Sequence, residues 1–340
     1  METSPFVVSV TGSAGNIGSR LLFGLPKLRI LKPGQSMELR LFDLPKKQKF
    51  QEGLVLELED AFPTLLSETK ILDESSENFK GTDLLIVLSG VPRAVGQERR
   101  DLIGSNVAVC KRLAEYINPV AKPELKVLMV ANPCNTNAYV FSHFAPNIAK
   151  SNIHSLSRLD FNRALSFVAR HPAVEAMHGT LNGLRVFGNH SRSMVIDFSS
   201  VTVAKGEQQI PLSKLIPNEE LTEIASKVSE RGIYVIGAIG RSAGPSASQA
   251  IEDHIQEWVL GSDTPTCAGI YIQDFLGIEA DVWMSVPIVF KGKGETVRAS
   301  EFDSLPEELV KEIRLSLEEL QVEKKIALQW IQEHEAKSKN

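Results

Sequence analysis

Cysteine is scarce in this chain of 340 residues, and basic residues do not outnumber acidic ones. The three cysteines, Cys110, Cys134 and Cys267, are odd in number and lack CxxC spacing. This argues against a disulfide framework and suits a reducing compartment. With 37 Lys and Arg against 42 Asp and Glu, the formal net charge is -5. Nucleic acid is therefore not expected as the main partner, because phosphate backbones select basic faces.

Long apolar runs are also missing. The longest, such as LLIVLSGV and VLMVANP, have the length of a strand and fall far short of the ~20 residues that cross a bilayer. The start, METSPFVVSV, has no cationic segment before an apolar one, so we expect neither a secretory signal nor a transit peptide. We therefore expect a cytoplasmic protein without a membrane partner.

What the chain does contain is an alternation of short apolar runs and helical stretches. The strand-like runs FVVSVTG, LRLFD, LLIVLSGV and VLMVANP are separated by SRLLFGLPKL, GLVLELEDA and NVAVCKRLAEYINPVA, which we interpret as helical. Continuous apolar strands between helices indicate a parallel sheet covered on both faces. The fold class predicted for residues 1–155 is therefore α/β, a Rossmann-type doubly wound sheet that binds a dinucleotide.

The second half has a different texture. Longer alternating strands, LRVFGNHS and SMVIDFSSVTVAKG, are expected there together with the helices ELTEIASKVSERG and ASQAIEDHIQEWVLG. A single amphipathic helix is predicted from Ser304, with Pro306 in its first turn, through Lys337. Residues 156–340 are accordingly predicted to form a mixed α+β domain that carries the substrate site.

Glycines follow the first strand immediately, in the segment TGSAGNIG. Gly12, Gly15 and Gly18 in a strand-to-helix turn let the backbone approach a pyrophosphate, and the helix start contributes oriented N–H groups. The predicted second strand ends in Asp43, whose carboxylate would accept hydrogen bonds from the adenosine ribose and repel a 2′-phosphate. These features favour NAD as cofactor.

Two observations bear on that cofactor assignment. The gap between the glycine turn and Asp43 is longer than the usual ~20 residues, and Lys46 and Lys47 leave NADP as an alternative. Short-chain reductases and sugar epimerases would use the same glycines, but they need a Tyr-x-x-x-Lys pair for proton transfer. None of the four tyrosines has a lysine four residues later; they are Tyr116, Tyr139, Tyr234 and Tyr271.

Hydride transfer needs a group that exchanges the alcohol proton near neutral pH, and histidine suits that task. His190 follows the apolar run LRVFGN, at a predicted strand end where side chains of α/β enzymes meet substrate. His254 and His334 are expected on polar helix faces, and no two histidines have convincing metal-ligand spacing. Upstream, LDFNR places Asp160 and Arg163 three apart on one helix face. An Asp beside the imidazole would set its tautomer and stabilise its protonated form.

The segment GVPRAVGQERRDL contains Arg93 and Arg99, six positions apart in a predicted loop after a buried strand. A guanidinium is planar and always charged, so it binds a carboxylate through two parallel hydrogen bonds. Glycines and a proline around the first arginine would let the loop bend. Arginines in this loop therefore indicate an anionic ligand.

Taken together, these motifs resemble the malate dehydrogenases, and among them the cytosolic-type branch. The similarity extends in order through GSAGNIGSRLL, LFDLP, GVPRAVGQERRDL, VANPCNTN, LDFNRA, GNHS and RSAGPSASQAI, and so covers nearly the whole chain. One departure is Phe187, where cytosolic-type relatives commonly carry Trp. Another is the late loop, in which Ser242 and Ser246 match a serine-containing substrate wall only loosely.

The resemblance implies specific roles. His190 would be the proton donor and acceptor, with Asp160 as its partner. Arg163 would bind the carboxylate beside the reacting carbon, Arg93 the distal carboxylate, and Arg99 would polarise the carbonyl. The remaining positions would contact substrate or cofactor: Asn132 the substrate; Gly12, Gly15, Asn16, Ile17, Gly18 and Asp43 the NAD; Asn106 and Val130 the nicotinamide side. Relatives of this kind act on malate and oxaloacetate and are usually homodimers.

Two other functions remain as alternatives. A dehydrogenase of lactate or of aromatic 2-hydroxy acids would share the fold, and a neutral side chain at position 93 would favour it. A catalytically retired NAD-binding or assembly protein would have no chemical reason to keep His190, Asp160 and the arginines together.

Overall fold

The computed structural model of the protein describes residues 4–91, 99–298 and 305–338. Its strands are β1 (Phe6–Thr11), β2 (Met37–Phe42), β3 (Leu66–Ile71), β4 (Leu84–Val87), β5 (Lys126–Met129), β6 (Ile153–Ser155), β7 (Thr180–Asn182), β8 (Arg185–Phe187), β9 (Val195–Asp197), β10 (Thr202–Lys205), β11 (Gln208–Pro211), β12 (Thr266–Phe275), β13 (Ile278–Gly292) and β14 (Glu295–Arg298). Its helices are α1 (Gly18–Leu21), α2 (Gln48–Ala61), α3 (Arg99–Ile117), α4 (Cys134–Phe144), α5 (Arg158–Ala169), α6 (Pro172–Glu175), α7 (Asn218–Ile239), α8 (Pro245–Leu260) and α9 (Glu307–Ser338).

Within the described ranges, nine strands form one sheet in the order β14-β13-β12-β6-β5-β4-β1-β2-β3. The six strands from β3 to β6 pair in parallel. β1 lies between β2 and β4, so the strand order reverses beside β1. At this point the loops after β1 and β4 leave a crevice at the carboxyl ends of the two strands. The Rossmann-type fold class predicted from the sequence is confirmed.

The sheet separates two hydrophobic clusters because successive side chains of a strand point to opposite faces. In β4, Leu84 and Ile86 belong to the cluster covered by α2 and α8. Their neighbours Leu85 and Val87 belong to the cluster covered by α3, α4 and α9. Both faces of the strand are buried, which explains its continuous apolar sequence.

The C-terminal half combines α-helices with small antiparallel sheets, as the sequence indicated. A separate core there packs α5 and α7 against the sheets formed by β7, β10 and β11 and by β8 and β9. The predicted strands are shorter than expected, however, since LRVFGNHS and SMVIDFSSVTVAKG supply only three or four paired residues at a time. The antiparallel hairpin of β12 and β13 was not predicted, and it extends the main sheet beyond β6.

The helix predicted over SRLLFGLPKL is largely wrong. α1 has only four residues, Gly18–Leu21, and the chain then tightens into turns and a 3-10 turn at Leu25–Lys27. The backbone N–H groups of Phe23 and Gly24 bond three residues back, to Arg20 and Leu21. A helix of one turn has only a small macrodipole, so the oriented N–H groups expected after the glycine turn are few.

The final helix agrees better with its prediction. α9 begins at Glu307, just after Pro306, and continues to Ser338, whereas Ser304 lies outside the described residues. None of the described helices combines the length and hydropathy that a membrane span requires.

Candidate active site

The glycine turn after β1 is packed directly against the loop after β4. Gly12 has a φ of +69°, and a Cβ there would lie 2.9 Å from the backbone of Leu88 and of Ser89. A Cβ on Gly18 would lie 2.5 Å from the carbonyl oxygen of Gly12. Only glycine fits these two positions, so the turn keeps the close backbone geometry that a pyrophosphate site needs.

A cavity of about 560 Å³ opens beside this turn, between the carboxyl ends of the parallel strands. Gly12, Gly15 and Asp43 form one end of its wall. The Asp43 carboxylate accepts hydrogen bonds from the backbone N–H of Ala14 at 2.9 Å and of Leu44 at 2.8 Å. These bonds hold an anionic group at the edge of the cavity. A crevice of this size at a topological switch point fits an extended dinucleotide.

Lys46 and Lys47 line the same cavity. The structure therefore brings both lysines near Asp43, as the sequence spacing suggested. They add positive charge to the end of the cavity where Asp43 lies.

Asn16 and Ile17 connect the glycine turn to the C-terminal half. The Asn16 amide donates to the carbonyl of Ser242 at 2.6 Å, and its oxygen accepts from Arg20 at 2.7 Å. Ile17 packs against a small cluster formed by Leu159, Ala247 and Ala250. These contacts hold the glycine turn against α5, α8 and the loop before α8, and the contact of Asn16 and Ile17 with the cofactor stays a prediction.

Neither Asn106 nor Val130 is among the described residues that line this cavity, but Asn106 bonds to Val91, which does line it. The Asn106 side chain is fully buried; it accepts from the backbone N–H of Val91 at 2.8 Å and donates to the carbonyls of Val91 and Leu102. Val130 follows β5 and donates its N–H to the Val87 carbonyl at 3.0 Å. Asn132, two residues later, is exposed. Asn106 therefore anchors the chain at Val91, immediately before the predicted arginine loop.

His190 and Asp160 meet although 30 residues separate them in the chain. His190 Nδ1 lies 2.5 Å from Asp160 Oδ2. Asp160 stands in the first turn of α5 with 1% of its side chain exposed, whereas His190 keeps 21% of its side chain exposed. Because Nδ1 faces the carboxylate, Nε2 is the nitrogen left for a ligand.

The second oxygen of Asp160 faces Arg163, whose Nη1 lies 3.4 Å from Oδ1. Burial lowers the pKa of the Arg163 guanidinium, and the nearby Arg231 lowers it further, while Asp160 acts in the opposite direction. One carboxylate thus orients a histidine and an arginine together. The arrangement can exchange a proton beside a bound carboxylate.

The backbone conformation of Gly188 presents His190. Its φ is +90°, its N–H and carbonyl pair with Ser285, and a Cβ there would lie 2.2 Å from the hydroxyl of Ser316. The N–H of His190 donates to Asn135 Oδ1 at 3.1 Å. Contacts from α4, β13 and α9 therefore hold this short loop from three sides.

Several of these supporting residues were missed at the sequence level. The Asn189 amide donates to Glu319 at 3.1 Å and to Glu323 at 3.0 Å, and its N–H donates to Ser316 at 2.8 Å. Glu323 is 2% exposed and also accepts a hydrogen bond from Thr136. A signal was present in the sequence: Glu323 falls on the apolar stripe of α9, in phase with Leu320 and Ala327, where a carboxylate needs a buried partner.

A second cavity, of about 380 Å³, lies between α5, α7 and α8. Arg163 and Arg231 both line it, together with Ser246. Arg231 was not singled out from the sequence, since a lone arginine in a helix is usually a surface residue. Of the two loosely matched serines, Ser246 reaches this cavity, whereas the carbonyl of Ser242 bonds to Asn16.

His254 does not lie on a polar helix face, so that prediction is wrong. It is fully buried, and its Nε2 lies 3.1 Å from Nδ1 of His154, which is also buried. Trp258 stacks on His154 with ring centroids 3.9 Å apart. The pair belongs to the core of the molecule and does not contact His190 in any described hydrogen bond.

Two predicted substrate residues cannot be placed. Arg93 lies outside the described residues. α3 begins at Arg99, but the side chain of Arg99 also lies outside the described set.

Comparisons with known proteins cover almost the whole chain. Residues 6–154 match the family described as lactate/malate dehydrogenase, NAD binding domain, and residues 157–330 match lactate/malate dehydrogenase, alpha/beta C-terminal domain. The cytoplasmic malate dehydrogenase of Beta vulgaris is 33% identical over 310 residues, which cover 90% of this chain and 93% of that protein.

Two solved structures are similar in fold and length. The malate dehydrogenase of Naegleria fowleri matches with a TM-score of 0.87 and 32% identity, over 97% of this chain and 100% of that one. The lactate dehydrogenase of Trichomonas vaginalis, in complex with NADH and oxamate, matches with a TM-score of 0.89 and 28% identity, over 96% and 99%.

Proposed function

The chain belongs to the lactate/malate dehydrogenase family, and within that family we propose that it catalyses the reversible NAD-dependent oxidation of (S)-malate to oxaloacetate. The observation that carries the proposal is the contact of His190 with Asp160, with Arg163 bound to the same carboxylate. Two relatives named malate dehydrogenase, at 33% and 32% identity, support the choice of substrate.

NAD is the cofactor, since the N-terminal half matches the NAD binding domain of the family. When bound, it would supply the acceptor for the hydride from C2 of malate. We assign its binding to the glycine turn (Gly12, Gly15, Gly18) with Asn16 and Ile17, to Asp43, and to Asn106 and Val130. Of these residues, Gly12, Gly15 and Asp43 line the first cavity, which supports their part of the assignment.

His190 takes the hydroxyl proton of malate at Nε2 and returns it in the reverse direction. Asp160 stabilises the imidazolium that forms, because its carboxylate lies 2.5 Å from Nδ1 and is shielded from water. Arg163 binds the carboxylate next to the reacting carbon through its fork of donors. Asp160 thereby orients both the histidine that exchanges the proton and the arginine that binds the substrate carboxylate.

The other substrate residues are assigned from the sequence. Arg93 would bind the distal carboxylate, Arg99 would polarise the carbonyl of oxaloacetate, and exposed Asn132 would contact the substrate. With this assignment Arg93 separates malate from lactate, because a neutral residue there removes the demand for a second carboxylate.

Lactate dehydrogenase activity is the second candidate, since the Trichomonas vaginalis enzyme matches the fold equally well. The test is NADH oxidation with oxaloacetate, pyruvate and phenylpyruvate in parallel, on the unmodified protein and on Arg93→Gln. We expect oxaloacetate to be the best substrate, and Arg93→Gln to impair it far more than pyruvate. Pyruvate as the best substrate would refute the proposal, and equal losses for both would refute the role of Arg93.

We also propose that the protein is cytoplasmic and forms a homodimer. Within each chain, we place the boundary between the two domains between residues 155 and 156. The location follows the name of the Beta vulgaris relative. Exposed apolar side chains on α2, Phe50 and Leu56, support association. Light scattering at several protein concentrations would decide between monomer and dimer.

A further inference from the structure

The cavity between α5, α7 and α8 contains an arginine to which the proposed mechanism gives no task. Arg231, on α7, lines this cavity opposite Arg163, on α5. The two residues are 68 positions apart in the chain, and only the packing of α5 against α7 brings them to one space. Arg231 is exposed, so its guanidinium is open to a ligand that enters the cavity.

An aromatic contact orients the Arg231 side chain. The guanidinium carbon of Arg231 lies 4.4 Å from the ring centroid of Phe167. Phe167 follows Arg163 by four residues, so both side chains project from the same face of α5. The contact with Phe167 therefore fixes the Arg231 side chain at the wall of the cavity that Arg163 also lines.

The charge balance of this cavity favours an anion. Among the described residues that line it, Arg163 and Arg231 are cationic and none is acidic. Asp160 faces Arg163 but is 1% exposed. The next carboxylate, Asp253, accepts hydrogen bonds from two amide side chains of the cavity wall, at 2.8 and 2.9 Å. Two neighbouring guanidinium groups repel each other, and a ligand with two negative charges removes that repulsion.

We infer that Arg231 binds the second carboxylate of a dicarboxylate substrate while Arg163 binds the first. The inference rests on the proposed function, which supplies the dicarboxylate. It makes Arg231 a specificity-determining residue, because a monocarboxylate needs only Arg163. Selection for the second carboxylate then involves α7 as well as the arginine loop.

The test compares dicarboxylate and monocarboxylate binding in the full-length protein loaded with NADH. Hydroxymalonate and oxamate are titrated by NADH fluorescence into the unmodified protein and into Arg231→Gln. Lys227→Gln is the matched control, since Lys227 stands one turn earlier on α7, pairs with Glu223 at 2.7 Å and does not line the cavity. Phe167→Leu removes the stacking partner and keeps both charges.

We expect Arg231→Gln to weaken hydroxymalonate binding about tenfold and to leave oxamate binding within about twofold, as for the loss of one exposed charged hydrogen bond. Phe167→Leu should weaken hydroxymalonate less, and Lys227→Gln should change neither ligand. Equal weakening of both ligands, or the same loss in Lys227→Gln, would overturn the inference, as would absence of hydroxymalonate binding to the unmodified protein.

The steady-state assay separates this result from the proposed function. If the unmodified protein does not oxidise NADH with oxaloacetate, the proposed function fails, and the two titrations still decide the role of Arg231. If it does, Arg231→Gln should lower kcat/KM for oxaloacetate about tenfold relative to that for pyruvate.

Discussion

The buried histidine pair should make the protein lose stability in mild acid. Burial, and to a smaller extent the charge of Arg158, lower the pKa of His254 from 6.5 to about 3. Burial, His254 and Lys126 hold the pKa of His154 well below its usual value. The unfolded chain therefore binds more protons than the folded protein below pH 6.5, and the free energy of unfolding falls as the pH falls from there toward 3.

The magnitude follows from the two pKa values of His254. A histidine that titrates at 6.5 when unfolded and at about 3 when folded lowers the free energy of unfolding by about 2 kcal/mol between pH 7 and pH 5. His154 contributes with the same sign. The neutral pair also shares a hydrogen bond of 3.1 Å, which needs one ring to donate and the other to accept.

Other shifted groups act mainly in a lower pH range. Arg40 and Lys70 hold the pKa of Glu38 below 4.5 in spite of its burial, and Lys324 with Tyr271 does the same for Asp281 against a usual 3.8. The contribution of these two carboxylates to the free energy of unfolding is present above their usual pKa values and is lost as the pH falls below them. Burial raises the pKa of Glu252 above 4.5, and this group acts with the opposite sign, so the comparison with His254→Gln is what isolates the histidine between pH 5 and pH 7.

The assay is urea unfolding at fixed protein concentration, followed by tryptophan fluorescence, at pH 5, 6 and 7. Trp258 stacks on His154 and reports on the pair directly. His254→Gln should reduce the loss of stability between pH 7 and pH 5 by about 2 kcal/mol, whatever its effect at pH 7. His143→Gln, at an exposed position, should behave as the unmodified protein does. An unchanged pH dependence in His254→Gln would refute the reasoning.

Three further predictions concern the active site. His190→Asn should lower kcat roughly 100-fold to 10,000-fold with NADH affinity unchanged, and near-normal turnover would remove His190 from the mechanism. Gly188→Ala puts a Cβ 2.2 Å from a serine hydroxyl of α9. It should lower the free energy of unfolding by roughly 1–3 kcal/mol more than Gly206→Ala does, because Gly206 also has a positive φ but has open space around it. Equal losses of stability in thermal unfolding of the two variants would contradict the packing argument. Glu323→Ala should lower kcat by a larger factor than it raises KM, because it releases the loop that carries His190. Glu318→Ala, on the exposed face of α9, should change neither kcat nor KM. A change in KM alone in Glu323→Ala would contradict the positioning role.

The parts of the fold predicted from sequence are those with local signals. The strands β1, β4 and β5 are continuous apolar runs, and α3, α7 and α8 have helical periodicity, so each was found near its observed place. The strand β3, with the sequence LSETKI, was missed because it is an edge strand with several exposed polar side chains. The helix expected after the glycine turn ends after one turn, and the chain that follows packs on α8, with Gly24 against the side chain of Glu252.

The sequence by itself determined the glycine turn, the carboxylate at Asp43 and the motifs that identified the family. Each of these motifs is a run of residues close together in the chain. Only the tertiary structure decided which distant groups meet, as His190 does with Asp160, Asn189 with Glu323 and His154 with His254. It also decided that Arg231 and Arg163 line one cavity. The residues of each pair lie 30 to 134 positions apart. Their contact depends on how α5, α7, α8 and α9 pack on the sheets, and helical periodicity indicates which face of a helix is buried but not what that face will touch.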